Sequence, residues 1–143
     1  YPPYVLRAYA RILGGATADG IRWDGARVNL TELKDKLAQY RYRFDTEADL
    51  QAKVEAALKA IGVDYERELV LDPKNRIDFL VGGIGVEIKT NGALNEVTRQ
   101  VHRYLGFEAI GSLLLVTTKV THKRLVRTMQ GKELDVLVVG GFL

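Results

Sequence analysis

The order of predicted elements places this chain in the α/β class. It reads as a core of αβββαβ order, then one further helix and strand, behind an N-terminal appendage of helix, short hairpin and helix. Three observations predict this. Residues 76–89 carry two apolar-alternating runs about Gly82-Gly83, a strong two-residue hairpin signal. Leu94, Val97, Val101, Tyr104 and Leu105 recur at helical spacing. Leu113 to Thr118 opens with four apolar residues and reads as a buried strand.

Taken in order, Pro2 and Pro3 can start a first helix with Val5, Leu6, Tyr9, Ile12 and Leu13 on its apolar face, ending at Gly14-Gly15. Asp24-Gly25 suits a small hairpin turn, and Thr31 can cap a short helix with Leu33, Leu37 and Tyr40 on one side. These elements make up the appendage, residues 1–44, before a core of 45–143. Tyr40-Arg41-Tyr42-Arg43-Phe44 interleaves aromatics with cations. That alternation fits a connector or strand with its aromatics inward and its arginines in water, and it also fits a nucleic-acid contact with stacking. Thr46 caps a helix running to about Ile61, with Asp49 three residues on and Gly62 ending it. A strand near Glu68 to Leu71 follows, then the hairpin strands 76–81 and 84–90. Helix 94–105, strand 113–118, a helix from Thr121 to Gln130 and a strand from Asp135 to Val139 complete the chain.

The hairpin concentrates the chemistry. With Gly82-Gly83 as the loop, Val81 faces Ile84, and counting back sets Phe79 against Val86 and Asp78 against Glu87. One face then holds Ile77, Phe79, Val81, Ile84, Val86 and Ile88. The other holds Asp78, Glu87 and Lys89, with Arg76, Leu80 and Gly85. Two carboxylates about 5 Å apart at Cβ repel unless something positive sits between them. A hard cation such as Mg²⁺ would do so, since it takes oxygen ligands and keeps several waters. Lys89 follows on the same face.

Helix 46–61 offers another carboxylate. At 100° per residue Glu47 falls within the stripe of Leu50, Val54, Ala57, Leu58 and Ile61, whereas Glu55 turns to water. A bare Glu-x-Lys means little alone. Glu32-Leu33-Lys34, with Asp24 upstream, has the same letters, but at a helix start they diverge by about 200°.

The 143 residues are enough for one domain with a core, and 47% apolar with 27% charged residues describe a soluble globular protein. No apolar run approaches the roughly 20 residues of a membrane span, and no signal-peptide pattern opens the chain. No membrane partner and cytoplasmic or nucleoid-associated residence are therefore the expectation. The missing initiator Met suggests a trimmed chain or a piece of a larger protein. The absence of Cys excludes disulfides and thiolate metal sites, and only His102 and His122 are present, so a metal would sit among carboxylates, as Mg²⁺ or Mn²⁺ does. Both histidines read as surface residues. Net charge is +3 and the pI near 9.2, permissive for nucleic acid. Cations cluster at Arg99 and Arg103, and at Lys119, Lys123, Arg124, Arg127 and Lys132, a stretch without an acid.

Asp78, eight residues and then Glu87-Ile88-Lys89, within an αβββαβ order, resembles the PD-(D/E)XK nuclease superfamily. Gln100 and Tyr104 one helical turn apart match the Gln-x3-Tyr motif of its RecB-like branch. The resemblance covers about residues 45–139, with Ile77 where the family name has Pro. It implies a restriction-endonuclease-like core with a mixed central sheet flanked by helices, and Mg²⁺-dependent hydrolysis of DNA in repair, recombination or mobile-element processing. Asp78, Glu87 and the Ile88 carbonyl would hold Mg²⁺, or Mn²⁺ in its place, with Glu47 completing the set directly or through water. Lys89 would orient or help deprotonate the attacking water, or stabilise charge at the phosphate. Gln100 and Tyr104 would position the nucleic-acid strand, with Arg99, Arg103, Lys123 and Arg127 as phosphate contacts. A homo-oligomer and a helicase or recombination partner stay open, as do a catalytically silent DNA-binding module and a junction-resolving endonuclease.

Overall fold

Ser112–Thr117 is the strand around which the sheet is arranged. Its side chains from Leu113 to Thr117 are all buried, so both of its faces must be covered. In the computed structural model, which describes residues 28–140, it lies between two parallel neighbours. The strands are β1 (Glu66–Asp72), β2 (Asn75–Val81), β3 (Ile84–Lys89), β4 (Ser112–Thr117), β5 (Thr128–Met129) and β6 (Lys132–Val138). They form a mixed six-stranded sheet of order β1-β2-β3-β4-β6-β5. β3, β4 and β6 run parallel, while β1, β2 and β5 pair antiparallel with their neighbours. The helices are α1 (Leu30–Leu37), α2 (Glu47–Ile61) and α3 (Leu94–Leu105). α1 and α2 share one apolar cluster with Phe79, Val86 and Ile88, and α3 shares another with Leu113, Leu115 and Leu134. The chain is thus α/β, with helices on both faces of its sheet. Among the described residues no helix is long and apolar enough to cross a membrane.

The expected first helix and the Asp24-Gly25 hairpin lie outside the described residues. Helix α1 is capped by Asn29 rather than Thr31. The Asn29 Oδ1 accepts the Glu32 N–H at 2.8 Å, and Glu32 Oε1 accepts the Asn29 N–H at 3.2 Å. The decoy glutamate is therefore engaged in a capping box, and Lys34 reaches Asp135 at 3.2 Å. Leu30, Leu33 and Leu37 are buried against the same core as α2 and β6, so packing shows no break at residue 44. Helix α2 has the expected ends, a Thr46–Asp49 capping box and Gly62 at φ +87°.

No α-helix forms over residues 121–130. Val120–Arg124 makes a short 3₁₀ turn, and the chain then extends into β5. Lys123 and Arg127 would stand as like charges one turn apart, and the β-branched Val120, Thr121, Val126 and Thr128 disfavour a helix. Gln130 and Gly131 instead supply two positive φ angles, 53° and 72°, for the two-residue β5–β6 hairpin.

Side-chain alternation also departs from simple counting. Phe79, Val81, Ile84, Val86 and Ile88 share the α1/α2 face, but Ile77 is buried with Leu69, Leu80 and Tyr104 on the α3 face. The alternation breaks at Asp78, beside Glu68 on β1, a non-glycine residue at φ +51°. Ile77 then fills the space above Gly85. A Cβ on Gly85 would come within 2.5 Å of Ile77 Cδ1 and 3.3 Å of Ile110 Cγ2. Gly85→Ala should accordingly cost about 1–3 kcal/mol, read as a lower urea midpoint at unchanged m-value; an unshifted midpoint would mean that Ile77 has room to turn away.

Candidate functional site

The β2–β3 hairpin pairs as counted over three positions, Val81↔Ile84, Leu80↔Gly85 and Phe79↔Val86. Beyond Phe79 the ladder stops, so Asp78 and Glu87 are not the directly opposed ladder pair that the turn alone implies. Their carboxylates occupy the space between the strands. Asp78 Oδ2 accepts the Ile88 N–H at 2.8 Å, and Glu87 Oε1 accepts the Asp78 N–H at 3.2 Å. Backbone donors that would have met carbonyls meet carboxylates instead. Within a strand, the N–H and C=O of one residue face the same neighbour. The Ile88 carbonyl is therefore turned toward β2 as well, on the side of Asp78.

Each carboxylate is held from a different face of the sheet. Gln51 of α2 donates to Asp78 Oδ1 at 3.2 Å. Tyr104 of α3 lies 3.4 Å from Glu87 Oε2 and receives the Gln100 side-chain amide at 3.0 Å. The Tyr104 hydroxyl has one proton, and the Arg76 carbonyl at 2.8 Å is its closer acceptor. Glu87 Oε2, at 3.4 Å, is its more distant acceptor. Lys89 Nζ stands 3.9 Å from the same Glu87 oxygen, on the side counted from the sequence.

The electrostatics follow from this crowding. Glu87 is 5% exposed, and burial, followed by the charge of Asp78, pushes its pKa up to about 9 from the ordinary 4.5. Asp78 is raised in the same direction, chiefly by burial. Burial and the nearby Glu87 raise the Tyr104 hydroxyl too.

Other site residues fall in mixed positions. Glu47 is half-buried, as its helical phase requires, but its Oε1 accepts the backbone N–H and hydroxyl of Thr90 at 2.9 and 3.2 Å. Among the described residues no three Asp, Glu, His or Cys side chains gather into a group able to hold a metal. Glu47 therefore does not join the pair directly; its charge reaches Asp78 through space. Glu55 does not face water but binds Tyr65 at 2.8 Å and Arg67 at 2.5 Å. Tyr104 is buried, with its hydroxyl between the Arg76 carbonyl and Glu87. Gln100 remains accessible, lining with Lys89, Arg99 and Arg103 a cleft of about 330 Å³. Lys123 and Arg127 are exposed on the 120–127 segment, where Arg127 lies 3.6 Å from Asp135.

Sequence reasoning misses three contributors. Gln51 sits one turn after Glu47, and that i,i+4 spacing on the inward face is the available signal. Thr90 carries no signal before the fold is known. His122, expected at the surface, is fully buried. A carbonyl can only accept, so His122 Nε2–H donates to the Gly92 carbonyl at 2.8 Å, and Nδ1 shares a hydrogen bond with the Thr117 hydroxyl at 2.7 Å. That link ties the turn after β3, which carries Thr90, to the end of β4. His102 is exposed as expected. No protein-family model, curated protein or solved structure matches this chain.

The raised pKa of Glu87 has a definite sign. The folded state holds this proton more tightly than the unfolded chain does. Its contribution is therefore full below about pH 4.5 and is lost as the pH rises toward about 9. In EDTA, Glu87→Gln should raise the thermal midpoint over wild type near pH 8 and leave it unchanged near pH 4. A variant equally destabilised at both pH values would contradict the burial argument.

Proposed function

We propose that this chain is a metal-dependent deoxyribonuclease built on the PD-(D/E)XK plan, with the restriction-endonuclease-like core of its RecB-like branch. The observation that carries the reading is the opened hairpin: a buried carboxylate, Glu87, and a half-buried one, Asp78, inserted between strands, with a lysine ammonium 3.9 Å from Glu87. The donor set fits Mg²⁺, or Mn²⁺ in its place. Asp78, Glu87 and the Ile88 carbonyl are all oxygen donors, and Mg²⁺ commonly takes one or two carboxylates, completing its shell with water and substrate phosphate. The two acids repel each other in a site where Lys89 supplies the nearby positive charge, so a cation offsets a cost already present.

When bound, the ion supplies charge stabilisation at the phosphate and a lowered pKa for the attacking water. The chain's residues do the rest. Gln51 and Tyr104 hold the two carboxylates in place, and Glu47 fixes the strand end through Thr90. Lys89 orients the attacking water or stabilises the charge that develops on the phosphate. Gln100, Arg99 and Arg103 face the adjoining cleft, where cations neutralise backbone phosphates.

The test is cleavage of circular and end-labelled linear DNA, single- and double-stranded, with Mg²⁺, Mn²⁺ or EDTA. Wild type should cleave only with metal. Lys89→Ala should lose about 10²- to 10⁴-fold in rate, and Asp78→Asn should lose both cleavage and the rise in thermal midpoint that Mg²⁺ gives wild type. DNA binding without cleavage under every condition would replace the nuclease with a binding module. Among the flanking cations, Arg103→Ala should lower the salt slope of duplex binding by about 0.9 for each phosphate that the protein ceases to neutralise, whereas an unchanged slope would remove this cleft from the binding surface.

A further inference from the structure

The alternating segment Tyr40-Arg41-Tyr42-Arg43-Phe44 has no task in the cleavage chemistry. It forms the connector between α1 and α2, and with the end of β6 it lines a cleft of about 670 Å³, within the range of small-ligand sites. Its residues divide by role. Tyr42 is buried and donates its hydroxyl to the Leu37 carbonyl at 2.7 Å, while Phe44 packs on the core; these two set the course of the connector. Tyr40 is 39% exposed and has no ring partner among the described residues. Arg41 and Arg43 are exposed, and neither is paired with a carboxylate among the described residues. Asp45 is the one acid among the described residues of the lining.

The location adds to this. The Val139 N–H donates to the Thr117 carbonyl at 2.8 Å, and the Thr118 N–H to the Lys89 carbonyl at 3.2 Å. Val139 of the cleft wall therefore lies at the same carboxyl edge of the parallel strands as Lys89, two strands away, or about 10 Å. On its other side the cleft is lined by Asp45, and the chain continues through Thr46 to Glu47.

We infer that this cleft is a base-stacking subsite for a single nucleic-acid strand. Tyr40 offers its ring to an unpaired base, and Arg41 and Arg43 take the neighbouring phosphates, while the strand runs along the sheet edge to Asp78 and Glu87. Bases inside a duplex are already stacked and present no free face, so the subsite selects unpaired nucleotides. The inference rests on the proposed nuclease reading for why a strand crosses this edge.

Anisotropy in EDTA with the full chain tests it separately from cleavage. The probes are a labelled oligothymidylate of about twelve nucleotides, the same backbone with abasic residues, and a duplex of that length. Wild type should bind the oligothymidylate most tightly. Tyr40→Leu should weaken that binding about 5- to 100-fold and leave the abasic strand unaffected, while Tyr40→Phe, which keeps the ring, should bind as wild type does. Arg43→Ala should weaken both single strands alike and lower the salt slope by about 0.7. Equal wild-type affinity for the abasic and thymidylate strands, or an equal loss on both in Tyr40→Leu, would overturn the subsite. Base-dependent binding in a chain that never cleaves would overturn the nuclease and keep the subsite; metal-dependent cleavage without base dependence would do the reverse.

Discussion

The site depends on one exchange of hydrogen-bond partners. Below Phe79 and Val86 the backbone of β2 no longer pairs with that of β3, and the carboxylates of Asp78 and Glu87 accept the freed amides. Buried N–H groups need acceptors, and a carboxylate serves as well as a carbonyl. The exchange brings two acids together, Glu87 buried and Asp78 half-buried. Among the described residues no buried side-chain polar atom lacks a partner, so the arrangement is satisfied even though its charge is frustrated. The positions of the pair's oxygens are thus set by backbone bonds, as the proposed cation site would require.

The rest of the sheet absorbs the opening. β3 keeps its register with β4 throughout, from Ile84↔Ser112 to Lys89↔Thr117. β2 departs, and β1 follows it, with Glu68 adopting a left-handed backbone opposite Asp78 at about 1–2 kcal/mol. The shift turns Ile77 into the α3 cluster, over the side-chain-free Gly85. Helices from both faces then close on the pair, α2 through Gln51 and α3 through Tyr104. The buried His122 secures the strand ends from behind, so Lys89 and Thr90 project from a braced edge.

The surfaces about this edge differ in chemistry. On the α3 side, Lys89, Arg99 and Arg103 make a shallow basic cleft with Glu96 as its acid. On the α1/α2 side the connector adds an exposed aromatic ring between helices. Charge alone suits phosphate of any form, whereas a ring adds preference for what can be stacked on it.

Local patterns are readable directly from the chain. Glycine at a two-residue turn, capping residues at helix starts and helical apolar spacing act over a few residues, so Gly82-Gly83, Thr46–Asp49 and Leu94–Leu105 can be placed from their neighbours. The grouping of Asp78, Glu87 and Lys89 is legible for the same reason, since a tight turn carries register to both strands. The remainder needs contacts between distant segments. Counting along a strand assumes regular alternation, and it fails at Asp78 because the kink is set jointly by β1 and the inserted carboxylates. The basic segment 119–132 has helical spacing, but the Gln130-Gly131 turn and the edge of β6 claim its backbone bonds. Glu47 finds Thr90, and His122 finds Thr117 and Gly92, across up to 43 positions of chain, where no local propensity reaches. Short-range sterics wrote the elements and the acidic pair; burial and long-range hydrogen bonding chose the partners of each charged group.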